Sequence, residues 1–374
     1  MLWVRSVWGW IQGTLFPHLE EDLGLLTEQQ KELVKVVELL NLPKFTKGYG
    51  WKGIGCPPKD RTAIVIAFLA KAIWNLPTTR ALVEYLHGAK QLRRLCGWEL
   101  ETGIPDVRLS SVEASESTFS RAFAVFASDG LLEKMHDELI HRGCESRLVF
   151  HVSRDATAID GREKPAKKEK KPQVKEARKK GRPRKGEVRQ PEPPKRLDLQ
   201  PTRSLEENLA DLPQQCDVGC KRNSKGHQTT WIGYKLHMDT IDGGIPVSAI
   251  LTSASVHDSQ VAIPLAQKTA QRLTSLYDTM DSAYDAPQIH AFSVGLNHVP
   301  IIDNNPRRGG EKQEMEPARA IRFRQRTTSE RCNSNLLDNY GGRNVRVRGA
   351  AKVITHLLFG LLPIAAMALF RVFG

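Results

Sequence analysis

The spacing of hydrophobic positions changes near residue 148. Before it, apolar residues recur every three or four positions, the repeat of a helix with one buried face. Ile64, Ile66, Ala67, Leu69, Ala70 and Ile73 supply a mostly one-sided apolar surface. Phe119, Phe123 and Phe126 form a stripe at i, i+4 and i+7. A packed helix needs such a stripe, so it reads as core rather than as a platform for stacking bases. Thr27 and Gln30 have the spacing of a capping box that opens a helix to Leu40, and Thr78 or Thr79 can cap another through Leu82, Tyr85 and Leu86. Residues 61–145 therefore read as an all-α domain, preceded by a helical segment and linker over 1–60. Helical domains of this kind often place a helix in a DNA groove, the basis for expecting DNA binding here, although no residue reads as a recognition residue.

From Leu148 the pattern is that of strands. Residues 148–152 read as a buried strand, with Asp155 just after it. Residues 231–238 roughly alternate, and Gly243-Gly244 turns the chain into a second strand at 245–251. A helix at 258–272, a short strand at 275–280 delivering Asp281, a helix after Pro287 and a strand at 299–302 follow. The helix bearing Glu330 comes next, with a stop at Gly341-Gly342. A hairpin feeding alternating strands and helices predicts an α/β fold, a mixed sheet with helices on its faces. Such sheets place active sites at the carboxyl ends of strands, where Asp155 and Asp281 both fall. This region spans 146–350. Beyond it, 351–374 form an apolar helix. Its eighteen uncharged residues, 353–370, reach the lower limit of a membrane span. Thr355, His356, Gly360 and Pro363 interrupt them, so the expectation is a buried helix, bent or broken near Pro363, and no membrane partner.

Charge adds a partner. The chain has 374 residues, 26% charged and 40% hydrophobic, a globular profile. Its net charge of +13 favours a polyanion. Residues 161–196 hold sixteen Lys or Arg and five Glu, a net of +11 that leaves +2 for everything else. High charge, recurrent proline and no aromatics predict that this segment is a disordered insertion. Within it, Arg182, Arg184 and Lys185 belong to a Lys-Gly-Arg-Pro-Arg-Lys run resembling an AT-hook, which would fit a narrow minor groove. A plain basic linker would also contact phosphates. The six cysteines are scattered and the start lacks an apolar leader, so a reducing cytoplasm is expected. Cys216 and Cys220 with His227 and His237 could suggest zinc, but the histidines lack tight spacing.

Candidate chemistry centres on Phe323, Arg326 and Glu330. Spaced three and four apart, they share one face of a helix. The carboxylate offers hard oxygen to Mg²⁺, and the guanidinium can pair with phosphate. With Asp155 and Asp281, Glu330 could hold two divalent cations for in-line attack on phosphorus. Asp160, Asp258, Asp285 and Asp303 compete; Asp258 reads as the cap of its helix, and Asp303 is the main rival ligand.

Five motifs now stand in order: Arg154-Asp155-Ala156-Thr157, Gly233-Tyr234-Lys235-Leu236-His237, His257-Asp258-Ser259, Asp281-Ser282-Ala283-Tyr284 and the Phe/Arg/Glu helix. Together they resemble bacterial insertion-sequence transposases of the DDE class, and the stretch through Ser117-Thr118-Phe119-Ser120-Arg121 resembles their N-terminal domain. The resemblance implies a ribonuclease H-like catalytic domain, with Asp155 bridging two Mg²⁺ or Mn²⁺ ions and Asp281 and Glu330 holding one each. It implies cleavage at element ends and strand transfer. The partners would be terminal inverted repeats and target DNA, with a homodimer in the DNA complex. That family helix reads aromatic, two residues, Arg, three residues, Glu, six residues, Lys. Here Phe323 stands for the commoner Tyr and Leu337 for the Lys, which shifts the expected DNA contact to Arg331 or Arg343. Two alternatives remain at this stage, a metal-dependent nuclease without strand transfer and a catalytically silent DNA-binding relative.

Overall fold

Thr27 and Gln30 do close a capping box. The Gln30 amide donates to Thr27 Oγ1 at 3.3 Å and the Thr27 amide to Gln30 Oε1 at 2.8 Å, and the helix Glu28–Leu40 follows. The structure, a computed structural model, describes residues 2–51, 53, 59–98, 115–144, 147–167, 194–222, 226–306 and 314–374. Asp60 caps the helix Arg61–Ile73, and Thr78 caps Thr79–Gly88. Arg61–Ile73 is buried on every side from Ala63 onward, where its pattern suggested one face. The cause is its central place: Glu28–Leu40, Thr79–Gly88, Glu116–Ser128 and Ala350–Phe373 all pack around it. Phe119, Phe123 and Phe126 are core, and Phe68 meets the first two edge-on.

Six strands follow: β1 (Leu148–Asp160), β2 (Asp217–Arg222), β3 (Gln228–Ile241), β4 (Ile245–Ser253), β5 (Thr274–Met280) and β6 (Val299–Ile302). They form one mixed sheet in the order β2-β3-β1-β5-β6, with β4 also pairing β3. β1, β2 and β4 each run antiparallel to β3, whereas β1–β5 and β5–β6 are parallel. With helices on its faces, this is a ribonuclease H-like arrangement. β1 is longer than its apolar run implied, so Asp155 lies within the strand and not after it. The reason is β3, which pairs with Val152–Asp160 after β5 has ended its pairing at Ser153. β2 was not legible, since Asp-Val-Gly-Cys-Lys-Arg has little β pattern of its own.

The last helix, Ala350–Phe373, runs unbroken through Pro363. A proline here removes one backbone hydrogen bond. Packing against β4 and against helices on several sides keeps the segment helical through that loss. Among the described residues it is the one helix apolar and long enough to cross a membrane, yet 83% of its apolar stretch is buried within the protein. It is a core helix. One apolar cluster runs from Val4 and the early helices through Leu236, Met238 and Val247 of the sheet to Leu369.

Candidate active site

The parallel register of β1 and β5 brings the two aspartates together. The last pair is Ser153 with Thr279, so Asp155 and Asp281 lie two residues further on, side by side at the same end of the sheet. Alternation along β1 sends Arg154 to the opposite face. There its Nε and Nη2 donate to Asp239 at 2.8 and 2.7 Å, directly across the ladder on β3. This ion pair is 2% and 0% exposed, and Thr269 Oγ1 also donates to Asp239 at 2.7 Å. A bidentate, satisfied pair of this kind fixes β1 against β3 and so fixes the direction of Asp155.

Both aspartates accept from neutral donors, and for Asp155 the Ala156 backbone is one of them. Asn333 Nδ2 donates to Asp155 Oδ2 at 2.9 Å, and the Ala283 amide donates to Asp281 Oδ1 at 2.9 Å. Burial pushes the Asp155 carboxyl up to about 6, and the charge of Asp281 adds to it. Asp281 is also raised, by burial first and then by Asp258. Arg326 and Lys221 oppose both shifts. Asn333 Oδ1 and the Tyr284 hydroxyl are buried with no hydrogen-bond partner among the described residues. After burial, the charges of Asp258, Asp155 and Asp281 raise Tyr284 further, which places that hydroxyl in the field of the carboxylates.

Glu330 does not join the aspartates directly. Its Oε1 accepts from Arg326 Nη2 at 2.6 Å, and its side chain is 47% exposed. Among the described residues, no three His, Cys, Asp or Glu side chains stand close enough to hold a metal. Glu330 and Asn333 nevertheless lie one turn apart on the helix Thr327–Asn339, and Asn333 reaches Asp155. Phe323 ends a separate helix, Pro317–Phe323, and a tight turn at Arg324–Arg326 intervenes. Ser153 Oγ donates to the Gln325 carbonyl at 2.9 Å, tying that turn to β1. The single helix face expected for Phe323, Arg326 and Glu330 is thus broken, although the Arg326 guanidinium still lies 5.6 Å from the Phe323 ring centre.

The other candidates separate cleanly. Arg331 donates to Thr328 Oγ1 at 3.2 Å, and Arg343 to Asp338 at 2.7 Å near the surface. Leu337 packs against the apolar cluster. Asp258 sits at the helix start but does not cap it; it accepts from Lys235 Nζ at 2.8 Å and lies 3.9 Å from His237 Nδ1. A cation was available across the sheet, and an ion pair outcompetes a neutral cap. Asp285 holds His290 and the Asn305 amide. Asp160 ends β1 opposite Gly233. The Asp303 amide donates to the Met280 carbonyl at 3.2 Å, beside the Asp281 end of β5. Cys216 faces the Glu163 carbonyl and His237 binds Thr252, so they do not converge on zinc. Arg182, Arg184 and Lys185 lie outside the described residues.

Sequence reasoning missed Asn333, Tyr284, Lys221 and the Lys235–Asp258 pair. Asn333 had a signal, three residues beyond Glu330 on the same face. Lys221 had none, because β2 itself was not legible.

Comparison with known families agrees with this architecture. The family described as Transposase DDE domain matches residues 151–364, and the one described as Transposase domain (DUF772) matches residues 21–112. No curated protein matches the chain. The first match alone covers more than half of the sequence and all of the sheet but the first three residues of β1, and the second falls on the region before it: the chain belongs to the insertion-sequence DDE transposases, enzymes of DNA recombination.

Proposed function

We propose that this transposase cuts DNA at the ends of its element by metal-dependent hydrolysis and joins the freed 3′-hydroxyl to target DNA. The observation that carries the reading is the placement of Asp155 and Asp281, half-buried and side by side where the β1–β5 pairing ends, short of counter-charge. Their hard oxygens, with the orphaned Asn333 Oδ1 beside them, fit a divalent cation such as Mg²⁺ or Mn²⁺. Asp155 and Asp281 would hold it, with Glu330 as the third ligand. Bound there, such ions would supply an acidified water or hydroxyl and neutralise the leaving oxygen.

The chain's own side chains do the positioning. Asn333 orients Asp155, and the Arg154–Asp239 pair holds β1 in place. Arg326 now occupies Glu330, and a scissile phosphate is a stronger bidentate partner for a guanidinium. An incoming strand would therefore take Arg326 and release Glu330 toward the aspartates. Phe323, Arg331 and Arg343 are proposed to line the DNA path from there. The helices of 61–145 would hold the terminal repeats, and the basic 161–196 segment would add non-specific affinity. Two copies would act on paired ends, in the bacterial cytoplasm.

Purified protein, terminal-repeat DNA and either Mg²⁺ or EDTA test this. Cleavage and joined product are expected with Mg²⁺ alone, and Arg326→Ala is expected to keep partial activity. Cleavage that survives both EDTA and Asp155→Asn would sink the mechanism. Mg²⁺-dependent cleavage without joined product would move the reading to a nuclease.

A further inference from the structure

The Glu330 helix leads to a second charged site at its other end. Beyond Asn339 the chain turns through Tyr340 and Gly341, which line a cavity of about 440 Å³. Phe68, Phe123 and Phe359 form an aromatic floor, with ring centres 5.2 to 6.0 Å apart. Lys71, Arg162, Arg346, Arg348 and Lys352 line the walls, and no Asp or Glu is among the described lining residues. His356 adds no charge at neutral pH, since burial holds it at about 4 and its Nε2 donates to the Gly341 carbonyl at 2.9 Å.

Exposed arginines can be satisfied by water, whereas Lys71 is the enclosed cation of the cavity. It is 8% exposed, in the last turn of the Arg61–Ile73 helix. It makes no hydrogen bond or ion pair among the described residues. Its stem is enclosed and its ammonium opens into the cavity, facing other cations. Burial, and then the charge of Arg346, lowers it to about 8. The partner that such a wall favours is an anion.

The shape narrows the anion. A bare phosphate needs no apolar floor, and a duplex does not fit a cavity of this size. One nucleotide taken out of its stack has both parts, a flat apolar base and a phosphate. Position ties it to DNA. Asn333, which touches Asp155, and Tyr340, at the cavity, are separated by about 10 Å of helix rise.

We propose that this cavity receives one unstacked nucleotide of the DNA strand engaged at the carboxylates. Its phosphate rests on Lys71, Arg346 and Arg348, and its base lies over Phe68, Phe123 and Phe359. The assignment rests on the reading of the carboxylates as the strand's reaction site, and its test needs no catalysis. The full chain is titrated in EDTA with a short single-stranded thymidine oligonucleotide, with free thymidine monophosphate and inorganic phosphate as separate probes. Arg346→Ala with Arg348→Ala changes two exposed side chains, and Lys71→Met keeps the length of the buried one. The double variant is expected to weaken strand binding about tenfold and to flatten its salt slope by ~0.7 per lost phosphate contact. Iodouracil in the strand is expected to cross-link to Phe68, Phe123 or Phe359. Strand affinity and slope that stay unchanged in both variants would overturn the proposal. So would tight binding of thymidine monophosphate or phosphate with no binding of the strand, which would make this a small-anion site. Asp155→Asn is expected to leave strand binding intact, so loss of cleavage there bears on the catalytic reading alone.

Discussion

The two ends of the Glu330 helix hold opposite charges under the same strain. At one end Asp155 and Asp281 are half-buried together, and that desolvation raises both. At the other, Lys71 is buried among guanidinium groups, and burial lowers it. Both shifts point the same way, toward loss of charge. The fold weakens these charges without removing them, and each is held more firmly when a ligand of opposite sign is bound. Cations at one end and a phosphate at the other are what a DNA strand with its metal ions brings. The contrast with the apolar core is direct: there, Leu, Ile and Phe side chains satisfy one another and nothing is left to bind.

That comparison can be broken most sharply at Asp155. Asp155→Asn is expected to cut the cleavage rate by at least about a thousandfold while DNA binding stays equal or tightens. Retained cleavage would mean that the paired aspartates are structural. The helix between the two ends comes next. Asn333→Ala removes the group that orients Asp155, and a supporting residue of this kind is typically worth about 10- to 100-fold. The check is the rate as a function of Mg²⁺ concentration, whose midpoint is expected to rise. An unchanged midpoint would separate Asn333 from the site.

Lys71→Met sharpens the other end. Replacing an unpaired buried cation with an apolar side chain of similar length is expected to raise the melting temperature by about 2–4 °C. The same variant is expected to weaken the binding of single strands. A fall in melting temperature would show that Lys71 has a stabilising partner in the free protein.

The smallest effect concerns groups already discharged. His136 and His237 are held at about 3 and His356 at about 4, in each case chiefly by burial. Below about 6.5 the unfolded chain binds protons that these folded histidines refuse, so stability falls as pH drops through that value toward 4. His136, whose Nε2 lies 2.9 Å from the Pro246 carbonyl, offers the clean test. His136→Gln is expected to flatten the decline in melting temperature between pH 6.5 and about 4.

Much of this was legible from residue order, for identifiable reasons. The caps at Thr27 and Thr78 act within four residues, so local spacing was enough to place them. The strand that delivers Asp281 stood out because it is a short apolar run before a turn. The position of Asp155 inside β1 was not visible, since the pairing that extends the strand comes from β3, some eighty residues away. Asp258 looked like a cap because its competing partner, Lys235, lies on β3, more than twenty residues upstream. The tight turn at Arg324–Arg326 depends on Ser153, far upstream. The basic cavity was invisible for the same reason: its cations come from four separate stretches, each of which reads as ordinary surface or core.

The long apolar helix has a consequence for the order of synthesis. Ala350–Phe373 packs on the early helices and on β4 alike, yet it is made after both. Until it leaves the ribosome, the enclosed Arg61–Ile73 helix lacks one wall, and the cavity lacks Phe359 and Lys352. A nascent or truncated chain ending before Ala350 would therefore carry both aspartates without a finished scaffold. Competence to handle DNA would arrive late and all at once, which keeps partial products of translation silent.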